Sequence, residues 1–253
     1  MAIKKFNFLL LAMLSVPAWA QEPSMFKLVK DPSVGMPSLQ LGYWTALDYH
    51  QRDWHSNTFM LRSIIPFQWG EQNHIMRISV PIAISHPVLG DGLADTSIFE
   101  LMVFDQDWGR FGLGFYGLLP TGGSERGAEQ WAFGPALGIE FRSPGLLWGL
   151  FNQNAFTVAG DDQRQPVKIS LLQPFVTWQL GDGWSAHLSE MQFSYDWENR
   201  RWRNLPLGLG ISKTQKLDRV PVQFNLQYEH NFADKVVAPA NTIRFNVRFF
   251  LPD

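Results

Sequence analysis

The sequence predicts an all-β fold: a transmembrane antiparallel up-and-down β-barrel of about 12 strands, as in bacterial outer membranes. After the first 20 residues, about a dozen stretches alternate apolar and polar residues, and the breaks between them are alternately short and long. Such barrels carry short turns on one rim and long loops on the other. The chain also has 11 Trp and 20 Phe, which suits lipid-facing strands with aromatic girdles.

The N-terminus has the pattern of a secretory signal peptide. Lys4 and Lys5 form a basic region, residues 6–16 are mostly apolar, and Ala18-Trp19-Ala20 is a small-x-small cleavage motif. We therefore predict a signal peptide at residues 1–20 and one outer-membrane β-barrel domain at residues 21–253. The apolar run is too short for a membrane anchor, and the chain has no Cys for a lipoprotein anchor.

Four stretches show a period of two most clearly: residues 109–119, 130–142, 220–229 and 243–249. In the first, Phe111, Leu113 and Phe115 share one face, whereas Gly112 and Gly114 lie on the other. The remaining strands are predicted at 39–47, 58–68, 73–84, 95–104, 147–158, 167–180, 184–195 and 205–212. Each has roughly 8–14 residues, enough to cross a bilayer at a tilt.

The breaks between the strands predict the polarity of the barrel. The short ones are 69–72, 105–108, 142–145, 181–183 and 213–219, and the long ones are 48–57, 85–94, 120–129, 159–166, 196–204 and 233–241. With both termini in the periplasm, the first, third and later odd connections face outward. These are the long ones, as expected for an outer-membrane barrel.

Aromatic residues lie near both sets of breaks, which predicts a girdle at each membrane interface. Trp69, Trp108, Trp148 and Trp184 lie near the short turns, and Trp44, Trp54, Trp131, Trp197 and Trp202 near the long loops. The last strand ends Phe249-Phe250, followed by Leu251-Pro252-Asp253. Outer-membrane barrels usually finish on an aromatic residue that the barrel-assembly machinery recognises. We expect that machinery as a partner during biogenesis, although the three added residues depart from the pattern.

Charge and cysteine content exclude several classes of function. Without Lys4 and Lys5 the mature chain has 19 basic and 23 acidic residues, a net charge near −4. This balance offers no basic field for phosphates, so nucleic acid is excluded as a partner. The absence of Cys excludes a disulfide framework. The expected partners are outer-membrane lipid and a small-molecule solute, and no cofactor is expected.

Polar side chains on the strand face opposite the large apolar residues predict the lining of the barrel. The candidates are Arg62, Arg77, Glu100, Tyr116, Glu140, Gln173, Gln179, Glu229, Arg244 and Arg248. Their charges nearly balance, which favours salt bridges across the lumen over a filter of one sign. These residues either satisfy one another in a polar interior or line a path for a solute, and the sequence leaves both interpretations open.

Small residues recur on the same face, at Gly112, Gly114, Gly134, Ala136, Gly138, Gly208 and Gly210. They would leave room for a narrow channel or a ligand cavity. They could instead allow the sheet to curve.

Enzymatic interpretations find little support. His187 and Ser189 would share one face of a strand about 7 Å apart, too far for a nucleophile–base hydrogen bond. No His pair has metal-ligand spacing, and loop carboxylates that could bind Ca²⁺ are usually only solvated; here they are Asp91, Asp95, Asp161 and Asp162. We expect no enzyme and no catalytic, cofactor-binding or metal-binding residues.

Seven short motifs follow one another along most of the mature chain. They are Leu89-Gly90-Asp91-Gly92-Leu93-Ala94-Asp95-Thr96, Leu119-Pro120-Thr121-Gly122, Gln173-Pro174-Phe175, Gly181-Asp182-Gly183-Trp184, Asp196-Trp197, Pro206-Leu207-Gly208-Leu209-Gly210 and residues 244–252. In this order they resemble the family of outer-membrane transporters named for the MetA pathway of phenol degradation. The resemblance implies an outer-membrane barrel that passes small, often hydrophobic or aromatic, compounds, and it implies no catalytic residues.

The sequence thus favours a passive outer-membrane channel for a small organic molecule, entered through the loops at 85–94 and 120–129. The first alternative is a closed barrel with a structural or adhesive role. The second is a lipid hydrolase with its active site at the rim.

Overall fold

The computed structural model describes residues 36–251, so the predicted signal peptide at residues 1–20 lies outside the described part of the chain. The elements are β1 (Ser38–Tyr49), β2 (Ser56–Trp69), β3 (Gln72–Ser85), β4 (Gly92–Leu93), β5 (Thr96–Gln106), β6 (Gly109–Leu119), α1 (Gly123–Arg126), β7 (Gln130–Ser143), β8 (Leu146–Gly160), β9 (Lys168–Gly181), β10 (Trp184–Leu188), β11 (Phe193–Asp196), β12 (Arg201–Asn204), β13 (Pro206–Leu217), β14 (Val220–Asn231) and β15 (Pro239–Phe250). Within this part of the chain, no helix is both long and apolar enough to cross a membrane.

The strands form a closed antiparallel barrel. β1 pairs with both β2 and β15, so the first strand closes the sheet against the last. β4 only extends the pairing of β3, and β10–β11 and β12–β13 are each two parts of one crossing, which leaves twelve crossings. Closure removes the sheet edges, so the backbone groups of each strand are paired within the bilayer. The predicted fold class is confirmed.

The crossing formed by β10 and β11 is interrupted by four residues. β10 pairs with β9 and β13, and β11 pairs with β9 and β12. Between them, residues 189–192 leave the ladder: the Ser189 N–H donates to the Gly208 carbonyl at 2.9 Å, and the Met191 N–H donates to the Ser189 carbonyl. The sequence predicted one continuous strand at 184–195. The interruption turns Ser189 and Glu190 toward the interior.

The two rims of the barrel differ as predicted. At one end, which we call the short-turn rim, two-residue turns lie at 70–71, 107–108, 144–145, 182–183 and 218–219. Asp182 and Gly183 both have positive φ, 48° and 75°, which is the type I′ geometry that matches strand twist. The turn predicted at 213–219 is shorter than expected, because β13 continues to Leu217 and pairs with Val220. The long-loop rim lies at the other end and carries β4 and α1.

The outer surface is apolar. Along the strands, Leu137, Leu209 and Leu226 are 48%, 65% and 51% exposed, as expected for side chains that face lipid. Exposed Trp residues near the short-turn rim include Trp69, Trp108, Trp148 and Trp184, and those near the long-loop rim include Trp131, Trp197 and Trp202. These positions match the two predicted girdles.

The inner face differs between the two halves of the barrel. On β5–β9 and the adjoining loops it buries an apolar cluster, which consists of Phe99, Leu101, Val103, Tyr116, Ala132, Ala136, Ala155 and Leu171. Phe151 packs against this cluster and stacks on Phe175 with ring centroids 5.0 Å apart. The apolar cluster fills part of the interior, whereas the opposite half is polar.

Candidate functional site

A polar wall forms the half of the interior opposite the apolar cluster. We define it as the inner face of β13, β14, β15, β1 and β2. Its centre is an unbroken polar row on β14, which consists of Gln223, Asn225, Gln227, Glu229 and Asn231. Gln227 and Glu229 are buried inside, whereas the intervening Leu226 and Tyr228 are half exposed outside. β14 lies across the barrel from β6, which contributes to the apolar cluster. The interior is therefore amphipathic, with a polar side and an apolar side.

Two arginines of this region form ion pairs. Arg62 of β2 donates to Glu190 at 2.5 Å and to the Ser79 hydroxyl at 3.2 Å. Glu190 belongs to the interruption between β10 and β11, so this contact crosses the interior. Arg244 of β15 forms a two-bond ion pair with Glu229, one of whose N–H···O distances is 2.8 Å. Charge-assisted pairs of this kind are the strong hydrogen bonds of protein interiors.

Two further arginines have amide partners. Arg77 of β3 donates to the side-chain carbonyls of Gln153 at 3.1 Å and Gln173 at 3.4 Å. β3 and β9 are separated by β5, β6, β7 and β8, so these bonds also cross the interior. Arg248 of β15 donates to the Gln40 carbonyl oxygen through Nε at 3.2 Å and Nη2 at 2.6 Å.

Trp44 lies inside the barrel and not in the outer girdle, so the prediction for this residue is wrong. Its indole N–H donates to Asn246 at 3.0 Å. The guanidinium groups of Arg62 and Arg244 lie 5.8 and 4.7 Å from its rings, within cation–π range. Trp44 faces inward because it alternates with the exposed Tyr43 and Leu47 along β1.

A second charged group lies near the short-turn rim. Glu140 of β7 accepts hydrogen bonds from Arg110 of β6 at 3.0 Å and from Arg142 at 2.8 Å. The side chains of Arg110 and Glu140 are 9% and 7% exposed, and that of Arg142 is 37% exposed. The group therefore extends from the buried interior toward solvent.

The structure places nine of the ten predicted lining residues on the inner face, by their contacts or by strand register. They are Arg62, Arg77, Tyr116, Glu140, Gln173, Gln179, Glu229, Arg244 and Arg248. The prediction is wrong for the tenth residue, Glu100, which faces outward. It pairs with Phe115, which is 41% exposed on the outer surface, and directly opposed residues of an antiparallel pair share a face.

Glu100 is hydrogen-bonded on the outer surface. Its carboxylate lies 2.6 Å from Nδ1 of His74, and both side chains are only 12–13% exposed. His74 stacks on Phe67 with ring centroids 5.0 Å apart, and its ring lies 6.2 Å from that of Trp69. A polar pair is therefore embedded in the aromatic girdle beside the short-turn rim.

His187 and Ser189 do not form a nucleophile–base pair. Nδ1 of His187 bonds to the Leu188 carbonyl, and its Nε2 lies 2.7 Å from the Asn225 amide. The Ser189 hydroxyl donates to Glu229 at 3.1 Å inside the barrel. Each group has a partner other than the one that catalysis would need.

The two predicted entrance loops are bound to each other at the long-loop rim. Both carboxylate oxygens of Asp95 accept backbone N–H bonds, from Gly122 and Ala128. Arg126 of α1 donates back to the carbonyls of Leu93 and Leu89. These bonds engage Asp95, one of the carboxylates considered for Ca²⁺, in loop structure. Among residues 36–251, no group of three or more His, Asp or Glu side chains is arranged to hold a metal ion.

A surface cavity of about 420 Å³ also opens at this rim. It lies between the loop at 161–167 and the turn at 197–200, and its polar lining includes Arg164, Lys168, Asp196 and Arg203. Lys168 is ion-paired with Glu198 at 2.5 Å. The cavity is therefore a polar groove beside the barrel mouth.

The inner glycines allow close packing and do not leave empty space. A Cβ atom on Gly138 would lie 2.8 Å from Leu101 and 3.0 Å from Phe151, and one on Gly114 would lie 2.0 Å from the backbone oxygen of Glu100. Side chains of the apolar cluster and neighbouring backbone already occupy these positions. The predicted channel space beside Gly138 and Gly114 is therefore filled.

Sequence reasoning missed five side chains of the interior: Glu190, Gln40, Gln153, Trp44 and Arg110. For Trp44 and Gln40 the strict alternation of β1 was an available signal. Glu190 follows no alternation, because the strand is interrupted there.

Several solved structures share the barrel fold of this chain. The COG4313 outer membrane channel from Pseudomonas putida F1 superposes with a TM-score of 0.59 at 13% identity, covering 87% of this chain and 98% of that one. The NanC porin gives 0.56 at 10% identity, covering 85% and 100%. The KdgM porin gives 0.51 at 11% identity, covering 85% and 99%.

No family model matches this sequence, and no curated protein matches it. The structural similarities, at identities of 10–13%, show a shared fold: the chain is similar in architecture to outer-membrane channel barrels.

Proposed function

We propose that this protein is a passive channel of the bacterial outer membrane for a small organic solute. The observation that carries the proposal is the polar row of β14 facing the apolar cluster inside a closed barrel. A barrel with only a structural role needs no such division, because an apolar core or a mixed network would fill it equally well. A solute with an apolar body and a polar group fits both walls at once.

The apolar half of the interior suits an aromatic or hydrophobic solute. Phe99, Phe151 and Phe175 form a chain of ring contacts, with centroids 5.5 and 5.0 Å apart. A further ring can join such an edge-to-face or stacked series. This agrees with the resemblance to the family named for phenol degradation, which we retain as part of the proposal.

The surroundings of the barrel follow from its surface. The exposed Leu side chains and the Trp girdles would contact outer-membrane lipid. β15 ends at Phe250 and is the strand that the barrel-assembly machinery would recognise. The architecture shared with the COG4313 channel and the NanC and KdgM porins supports the same location.

A closed barrel is the second candidate, and the apolar cluster favours it, because those side chains fill part of the interior. Its loops would then make the functional contacts. The rim hydrolase is the third candidate, and the position of its expected nucleophile does not favour it, because Ser189 is 1% exposed and donates to Glu229 inside the barrel.

Single-channel conductance of the refolded mature protein in planar bilayers tests the proposal. Aromatic solutes such as phenol are added and compared with sugars of similar size. We expect discrete conductance steps that aromatic solutes block more strongly than sugars. Silent bilayers would contradict the proposal if the barrel is shown to be folded by its heat-shifted gel mobility.

A further inference from the structure

Four guanidinium groups share the mid-barrel interior with two carboxylates. Arg62 is paired with Glu190, and Arg244 with Glu229. In the described chain, Arg77 and Arg248 have no carboxylate within ion-pair distance, and only amide oxygens accept their bonds. The cluster therefore carries an excess of positive charge. Inside a barrel wall such charge is screened less than at a surface.

The two arginines without carboxylates belong to one electrostatic group. Arg77 interacts with the charges of Arg62, Arg248 and Glu190, and Arg248 interacts with Arg62 and Glu190. Glu190 cannot neutralise all of them, because its carboxylate is bound to Arg62. The repulsion between these arginines would fall if a second anion entered the cluster.

Unused hydrogen-bond donors lie on the same wall. Among residues 36–251, no acceptor lies within hydrogen-bond distance of the buried Nε2 of Gln40 or Nε of Arg244. Gln40 is 2% exposed, and its side-chain oxygen is already bound to Arg248. Buried donors without partners are rare in folded proteins, because each has lost its bonds to water. Both lie on adjacent strands of the polar wall and would be satisfied by an added acceptor.

The group of four arginines also contacts the apolar cluster. The guanidinium of Arg77 lies 4.7 Å from the ring centroid of Phe99, a member of the apolar cluster. An anionic group at Arg77 would therefore leave the body of its molecule beside Phe99 and Phe151, which are in ring contact.

We infer that Arg77 and Arg248 form a binding site for the carboxylate of an aromatic or similarly apolar organic acid. The inference rests on the proposed channel function and specifies the class of its solute. Guanidinium groups bind carboxylates through two parallel bonds, and the rings of the apolar cluster supply the contact surface for the rest of the molecule. The excess of arginine would also draw anions toward the site.

The test compares benzoate with benzamide, which has the same ring and nearly the same shape but no charge. Binding to the refolded protein in detergent micelles is measured by calorimetry, so the readout does not depend on conduction. We expect benzoate to bind about tenfold more tightly than benzamide, as for a gained charge-assisted bond. Arg77→Gln and Arg248→Gln should each remove most of this preference.

Arg219→Gln is the matched control, because it removes the same charge from the two-residue turn at 218–219 and should leave binding unchanged. Equal binding of benzoate and benzamide to the wild-type protein would overturn the inference. Displacement of benzoate by an equal concentration of inorganic phosphate would also overturn it, since the site would then select charge alone.

The binding result separates the inference from the channel proposal. Benzoate binding to a barrel that does not conduct would keep the site and reject the channel. Conductance that benzoate and benzamide block equally, with no effect of either arginine variant, would keep the channel and reject the site.

Discussion

Glu190 lies 2.5 Å from Arg62 although the two residues belong to strands on nearly opposite sides of the barrel. The contact exists because residues 189–192 leave the sheet and carry Glu190 inward. The Glu190 backbone N–H also contacts the polar wall, because it donates to the side-chain oxygen of Gln227 at 2.9 Å. The interruption of this strand is therefore held in place by both the side chain and the backbone N–H of Glu190.

Breaking this pair should destabilise the barrel. Glu190→Gln keeps an acceptor oxygen for Arg62 but removes the negative charge that balances it, and we expect a loss of about 2 kcal/mol in the free energy of unfolding. Urea unfolding in micelles, followed by Trp fluorescence, measures it. The double variant Arg62→Gln/Glu190→Gln should lose less than the sum of the two single changes. Strict additivity would show that the two side chains do not interact.

The strand boundaries and the rims were predictable because alternation and turn residues are local signals. The predicted strand 130–142 and the observed β7 differ by one residue, and the five short turns all contain predicted positions. The faces of the strands were harder to predict. Ile98, Phe99, Leu101 and Met102 are apolar on both faces of β5, so the single charge of Glu100 decided its assignment, wrongly.

Pairing could have corrected that error. The turn at 107–108 sets Gln106 opposite Gly109, and the same register sets Glu100 opposite Phe115. Phe115 was predicted to face lipid, so Glu100 must do so too. No comparable rule reveals Glu190, because the interruption of its strand depends on contacts with Gly208 and Gln227 that are distant in sequence. The interior contacts were therefore predictable in composition but not in partners.

The stability of the barrel should fall when one partner of the His74–Glu100 pair is removed, but not when both are removed. His74→Leu leaves the Glu100 carboxylate in the aromatic girdle without its imidazole, which we expect to cost about 1–3 kcal/mol of stability. His74→Leu/Glu100→Leu removes both polar groups, and its stability should be close to that of the wild type, because Leu is favourable on a lipid-facing surface. Refolding yield into vesicles and urea midpoints measure both. Equal loss in the single and double variants would contradict this role for the pair.

Ion selectivity should respond to Glu140 and not to Glu100. Glu140→Gln removes the carboxylate that Arg110 and Arg142 share, so we expect the anion-to-cation permeability ratio to rise about twofold. Glu100→Gln is the matched control, because it is the same change on the outer surface. Reversal potentials in a salt gradient measure the ratio. A shift of equal size in the Glu100 variant would contradict the face assignment.

Gly114 of β6 should not tolerate replacement by alanine. A Cβ atom there would lie 2.0 Å from the Glu100 backbone oxygen, and backbone in a paired strand cannot yield without breaking the ladder between β5 and β6. We expect Gly114→Ala to cost at least about 3 kcal/mol or to prevent refolding. In Gly70→Ala the new Cβ meets nothing within 4 Å, and only the positive φ of 61° is strained, at about 1 kcal/mol. Heat-shifted gel mobility and urea midpoints compare the two, and a Gly114 variant as stable as the Gly70 variant would show that the strands can separate enough to admit a methyl group.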